Sequence, residues 1–232
     1  MRTVISRRSV RRGLLAAAVV GSLFLGATGC GGDGEVGETP KTPKDYKVVA
    51  GTRLCGGKAM SADASKALKV ITGSSRFEAS AEEYTVAQAA ADLVDAFLDP
   101  RVYRGDVCRV YTPIDTPDFD LRITWDLEDS APTGASAPEF TVLKMGERAV
   151  AAADKAYVFF ACRSDKLAGS SSAAHIVIGV EHRDVWTEPE GDVEALKDAY
   201  ATVAHSVSLA MAKELRCEEN GGLPARAVLD PA

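Results

Sequence analysis

Phe119-Asp-Leu-Arg-Ile-Thr-Trp-Asp-Leu127 alternates apolar and polar residues almost without fault, which is the two-residue period of a strand with one covered face. Phe119, Leu121, Ile123, Trp125 and Leu127 then share the buried side, while Asp120, Arg122, Thr124 and Asp126 point to water or a second layer. Upstream, residues 107–112 are a short strand candidate. Downstream, a loop over 129–138 carrying Pro132, Gly134 and Pro138 leads to a further strand at 140–145, where Gly146 turns the chain. Residues 157–162 (YVFFAC) and 174–180 (AHIVIGV) are near-continuous apolar runs, as expected of central strands covered on both faces.

Helical signals flank this strand-rich middle. Ser61 and Gly73 bound a short helix as cap and stop. Ser80-Ala-Glu-Glu83 reads as a capping box for a second helix, with Val86, Ala90, Leu93, Val94 and Phe97 on one stripe before Asp99-Pro100 ends it. A long last helix runs from Pro189 or Asp192 to Leu215, with Thr187-Glu-Pro-Glu190 as its box and Val193, Leu196, Tyr200, Val203, Val207 and Met211 as its apolar stripe. Two helices, several strands and a helix, without regular alternation, predict an α+β fold. Its sheet is mostly antiparallel, packed by two N-terminal helices and one long C-terminal helix.

The chain of 232 residues carries a formal charge of -6. Its first 29 residues hold five arginines and no acid, so of 27 basic residues 22 remain against 33 acidic ones, a net of -11 for the rest. An acidic body disfavours a sequence-independent grip on nucleic acid, which needs clustered Lys and Arg. The arginines precede an apolar run from Leu14 to Ala27 that stops short of the roughly 20 residues a membrane span needs, so residues 1–29 read as an export signal. Ala27-Thr28-Gly29-Cys30 resembles the lipobox of bacterial lipoproteins, with Ala27 where Leu is usual; the resemblance implies diacylglyceryl transfer to the Cys30 thiol and cleavage just before it. Ser6-Arg7-Arg8-Ser9 resembles a twin-arginine motif, which leaves the general and the twin-arginine export routes both open. Residues 30–53 read as a flexible tether spanning about 25 Å, residues 54–220 as one extracellular domain, and residues 221–232 as a disordered tail.

Cys55, Cys108, Cys162 and Cys217 lie about fifty residues apart, too far for the close pairs of a metal site. In an exported chain they predict two disulfides, with three connectivities open. Pairing Cys55 with Cys108 and Cys162 with Cys217 ties each half to itself and joins a helix-flanking cysteine to a strand. That leaves the odd cysteine, Cys30, for lipid.

The sequence contains no catalytic, cofactor or metal signature. His175 and His182, seven apart, fall on opposite faces of one strand, and His205 has no partner one helical turn on. Asp115, Asp118, Asp120, Asp126, Glu128 and Asp129 lack the ligand rhythm and turn glycine of a calcium loop, so a solvated acidic face is expected. No Gly-x-Ser-x-Gly elbow surrounds Ser170, Ser171 or Ser172, and Cys55-Gly-Gly-Lys58 lacks phosphate-loop spacing. Trp125 is expected in the core, and Trp186 packed under the last helix.

Lipobox, Gly/Pro/Thr tether, and a body with Cys55 before a helix and Cys108 and Cys162 in strands together resemble the small uncharacterised lipoproteins of high-GC actinobacteria. Some related families are PsbP-like, and the extracellular sensor domains of mycobacterial serine/threonine kinases have a similar two-disulfide α+β body. The resemblance implies no known reaction and carries over no functional residue except Cys30. The expected function is a non-enzymatic binding or accessory module on the extracytoplasmic face of the cell membrane. Its lipid on Cys30 would sit in the membrane, and its partner would be an envelope protein, lipid or cell-wall component. An envelope hydrolase and, less favoured, a solute-binding lipoprotein of a transporter are the alternatives. A deep cleft with convergent polar groups of shifted pKa would favour the hydrolase, a flat or apolar-lined surface the binding module.

Overall fold

A computed structural model describes residues 46–99, 101–167, 172–183, 189 and 191–232. In chain order its elements are β1 (Val48–Ala50), α1 (Ala62–Thr72), β2 (Arg76–Glu78), α2 (Val86–Leu98), β3 (Arg104–Tyr111), β4 (Asp120–Glu128), β5 (Thr141–Leu143), β6 (Arg148–Ala151), β7 (Lys155–Cys162), β8 (Ala174–His182) and α3 (Val193–Leu215). The fold is α+β. β3, β4, β8, β7, β6 and β5 form one sheet in that order, every neighbour antiparallel, and β1 pairs with β2 in a small second sheet.

β4 behaves as its alternation predicts: Leu121, Ile123 and Trp125 are buried, and Phe119 and Leu127 pack partly buried against the same core. On its other side β3 carries a bulge between Asp106 and Cys108, so consecutive Val107 and Cys108 are both buried. β8 has five buried residues in succession, Ile176 to Val180, as a two-sided strand requires. β7 departs from that expectation. Ala156, Val158, Phe160 and Cys162 are buried while Tyr157, Phe159 and Ala161 are only half covered, because α3 lies on one side of β6, β7 and β8, while on the other the Phe140 ring stands 5.9 Å from that of Tyr157. β6, too short to show a period, was not anticipated.

The helices start where side chains satisfy their free amides. Ser61 caps α1 by accepting from Ala64 N at 3.0 Å, and Gly73 ends it with a left-handed φ of 71°. Ser206 of α3 holds that start in place: Ser61 N donates to its Oγ at 2.9 Å, and the hydroxyl donates to Ala59 O at 2.8 Å. The second capping box is corrected. Thr85, not Ser80, caps α2 by accepting from Gln88 N at 3.1 Å, and Ser80 Oγ instead accepts from Cys55 N. Thr187, Glu188 and Glu190 lie outside the described residues, and Asp192 caps α3 through Ala195 N at 2.7 Å. Of the stripe on α3, Leu196, Tyr200, Val203, Val207 and Met211 are buried, whereas Val193, in the first turn, is exposed. Among the described residues no helix is long and apolar enough to cross a membrane.

Both disulfides follow the expected pairing: Cys55 with Cys108 at a Cα separation of 5.6 Å, and Cys162 with Cys217 at 4.9 Å. The second fastens the end of β7 to the residue beyond α3's cap, where Ser164 Oγ donates to Leu215 O, Lys166 Nζ to Glu214 O at 2.7 Å, and Glu218 N to Arg163 O at 2.9 Å. Replacing Cys162 and Cys217 together by alanine should cost about 2–4 kcal/mol. Hydrogen exchange should then accelerate over residues 216–232 while β4 and β8 keep their protection.

Both ends of the expected domain move outward. Residues 46–53, placed in the tether, contain β1, and Tyr46 Oη accepts from Ile114 N at 2.7 Å. Residues 221–232, expected to be disordered, are pinned to the sheet edge: Ala232 N donates to Val142 O at 2.9 Å, Val228 N to Met145 Sδ at 3.3 Å, and Leu223 is buried. Gly221 permits this approach, since a Cβ there would stand 2.7 Å from the Phe160 ring and 3.1 Å from Ala161 O.

The same tail meets His205, buried on α3 with Nε2 2.9 Å from Pro224 O. Burial holds its pKa below the ordinary 6.5, with Lys213 adding in the same sense against the opposing Pro224 contact. The unfolded chain therefore takes up this proton first. Stability from the neutral imidazole is complete above about pH 6.5 and is lost as pH falls from there toward the folded value. Urea unfolding of the native chain should show that fall between about pH 8 and about pH 5, and His205→Gln should flatten it.

Candidate functional site

At the end of the sheet where β4 starts and β8 finishes, the C-terminal turn of α1 and the first turns of α3 enclose a cleft of about 920 Å³. Its floor is apolar: Ile71 from α1, with Leu196 and Tyr200 from α3, all buried. Phe119 and His182 make one wall as a stacked pair, ring centroids 4.1 Å apart and 14° from parallel. Cross-strand register puts them there, because His182 sits opposite Leu121 and Phe119 is two residues away on the same face.

The rim is polar and comes from three turns. Thr112 closes the β3–β4 connection by donating through Oγ1 to Pro117 O at 2.7 Å and accepting from Phe119 N at 3.0 Å, which presents Asp118 and Phe119 at the cleft. Between β6 and β7, Ala152 N donates to Lys155 O at 2.8 Å, leaving Ala153 and Asp154 as a tight turn at the opposite lip. Arg183 extends the β8 ladder: its N donates to Asp120 O at 3.1 Å and its Nη1 to Asp120 Oδ2 at 3.2 Å. Asp120 Oδ1 is fully buried and has no hydrogen-bond partner. Burial, with Asp154 adding negative charge, pushes the Tyr200 hydroxyl pKa well up, so this phenol stays protonated at any physiological pH.

The acidic run anticipated as one solvated face is dispersed by the strand. Asp118 and Asp120 border the cleft, but the Asp120 side chain, by alternation on β4, lies with Asp126 on the sheet face away from the helices, where Asp126 is paired with Arg104 at 2.8 Å beside an Arg122 to Asp106 pair at 2.7 Å. His182 reaches the cleft; His175, on the other face of β8, meets Glu147 Oε2 at 2.9 Å, and His205 is buried against the tail. Among the described residues no three His, Cys, Asp or Glu side chains gather as metal ligands would. Trp125 is in the core, while Cys30, Ser170, Ser171 and Trp186 lie outside the described residues. The cleft roles of Asp154, Arg183 and Tyr200 were missed. Asp154 and Arg183 stand at strand ends and Tyr200 within the buried stripe of α3, and only proximity in the fold joins them.

Fold and cleft together define a disulfide-braced α+β domain with an apolar-floored cleft. No protein-family model, no curated protein and no solved structure matches the chain.

Proposed function

We propose that this chain is an exported lipoprotein, cleaved before Cys30 and anchored by lipid on that residue at the extracytoplasmic face of the cell membrane. Its folded part is a non-enzymatic binding or accessory module of the envelope. The observation that carries the reading is the complete pairing of Cys55, Cys108, Cys162 and Cys217 with one another. Such bridges persist in oxidising compartments and leave Cys30, at a lipobox-like sequence, as the unpaired thiol among the five cysteines. The cleft supports the binding role: its volume falls in the range of small-molecule sites, with an apolar floor and few polar groups at the lip.

In-cell photocrosslinking tests the binding role. A photoreactive side chain at Val70, exposed at the cleft mouth, should capture a reproducible envelope component, and one at exposed Leu98, the last residue of α2, should not. Equal capture at both sites, or none at Val70, would contradict it.

A further inference from the structure

One edge of the six-stranded sheet is closed by the C-terminal tail. β5 is the outer strand beyond β6; Leu143 pairs antiparallel with Pro231, Ala232 N donates to Val142 O at 2.9 Å, and Val228 N donates to Met145 Sδ at 3.3 Å. We infer that two copies of this chain exchange these tails, residues 223–232 of each covering the β5 edge of the other about a twofold axis. The partner surface is thus the seat the tail already occupies, and the inference is independent of the cleft.

The tail's seats lie on the body that precedes Cys217. Ala227, Val228 and Leu229 pack against the core, Leu223 is buried in it, and Pro224 O stands 2.9 Å from His205 Nε2. A second copy offers the same seats, so exchange keeps these contacts and changes only the hinge. Its upstream end is fixed by the bridge from Cys217 to Cys162. From there the chain reverses through four successive residues of positive φ: Glu219 at 50°, Asn220 at 54°, Gly221 at 70° and Gly222 at 73°. Glycine adopts this backbone freely and asparagine at little cost, but for Glu219 it is strained. Opened, residues 218–222 span about 17 Å, enough to carry the tail to a neighbour while Glu219 relaxes into extended backbone. A short hinge under strain favours such exchange. Making it reciprocal leaves neither β5 edge bare.

Light scattering across a concentration series tests this on the chain carrying Cys30→Ser, so that no lipid drives association. It should show a monomer that becomes a dimer as concentration rises. In a dimer assembled from one isotope-labelled and one unlabelled copy, isotope-filtered NOEs should join Met145 of one copy to Val228 of the other, and Leu143 to Pro231. Glu219→Gly, which removes the strain from the closed hinge, should weaken the dimer on the order of a hundredfold, about tenfold for each of its two hinges. Glu219→Pro, whose ring forbids the closed φ and fits an extended hinge, should dimerise at dilutions where the Cys30→Ser chain is monomeric. Glu219 is exposed, so neither variant removes a packed side chain. A monomer at every concentration the chain tolerates, a dimer without the cross-copy NOEs, or association unchanged by Glu219→Gly would overturn the inference. So would a Glu219→Pro monomer whose tail is detached.

Discussion

Trp125→Ala should lower the unfolding free energy by about 3–5 kcal/mol, which for a domain of this size is a fall in Tm on the order of 10 °C. Trp125 is among the largest fully buried side chains and sits on the core face of β4, between β3 and β8. Its cross-strand neighbour on β3 is Gly105, where a Cβ would stand 2.7 Å from the indole. The ring therefore covers a position with no side chain of its own, and after truncation nothing on β3 can move in to fill the void. Trp125→Phe should be far milder, under about 2 kcal/mol, because Nε1 is buried without a partner and its removal relieves an unsatisfied donor as it loses contacts. Urea denaturation of both variants checks this. An alanine variant within about 1 kcal/mol of the native chain would place Trp125 outside the core's tight packing.

What could be read from the sequence follows the range of the interactions involved. β4 was legible because two-residue alternation is local, and so were α1's limits, since Ser61 and Gly73 act within one turn of the residues they cap. The disulfide pairing was legible because each half of the chain carries one cysteine beside a helix and one in a strand. Ser80 misled because its hydroxyl serves an amide 25 residues away, so a correct capping pattern was spent on a different bond. The tail misled for the same reason: its order depends on Val142, Met145 and His205, all distant in sequence. The cleft was the least legible feature. Ile71, Asp120, Asp154, Arg183 and Tyr200 come from five separate segments, and no spacing in the chain announces their meeting.

The charges on the sheet face away from the helices show why composition underdetermines a site. Arg104, Arg109 and Arg122 would suggest an anion surface if counted alone, yet Asp126 meets Arg104 and Asp106 is shared by Arg109 and Arg122, at 2.7–3.5 Å, so two carboxylates offset most of their charge. At the cleft, too, charges are met in pairs, Asp120 by Arg183 at 3.2 Å and Asp154 by Lys155 at 3.8 Å.

On the proposed reading a folded, disulfide-closed domain is held at a membrane by one residue that belongs to neither disulfide. Lipid on Cys30 would anchor through two chains, enough for stable attachment where a single chain is marginal. Its loss should be close to all-or-none for location. Because Cys30 belongs to neither disulfide, Cys30→Ser should leave the unfolding free energy unchanged. The direct measurement is fractionation of cells expressing the native chain and Cys30→Ser, with intact mass of the recovered protein. The native chain should be in the membrane fraction carrying lipid mass, and the serine variant should be soluble and unlipidated. A serine variant that remains in the membrane fraction would contradict that reading.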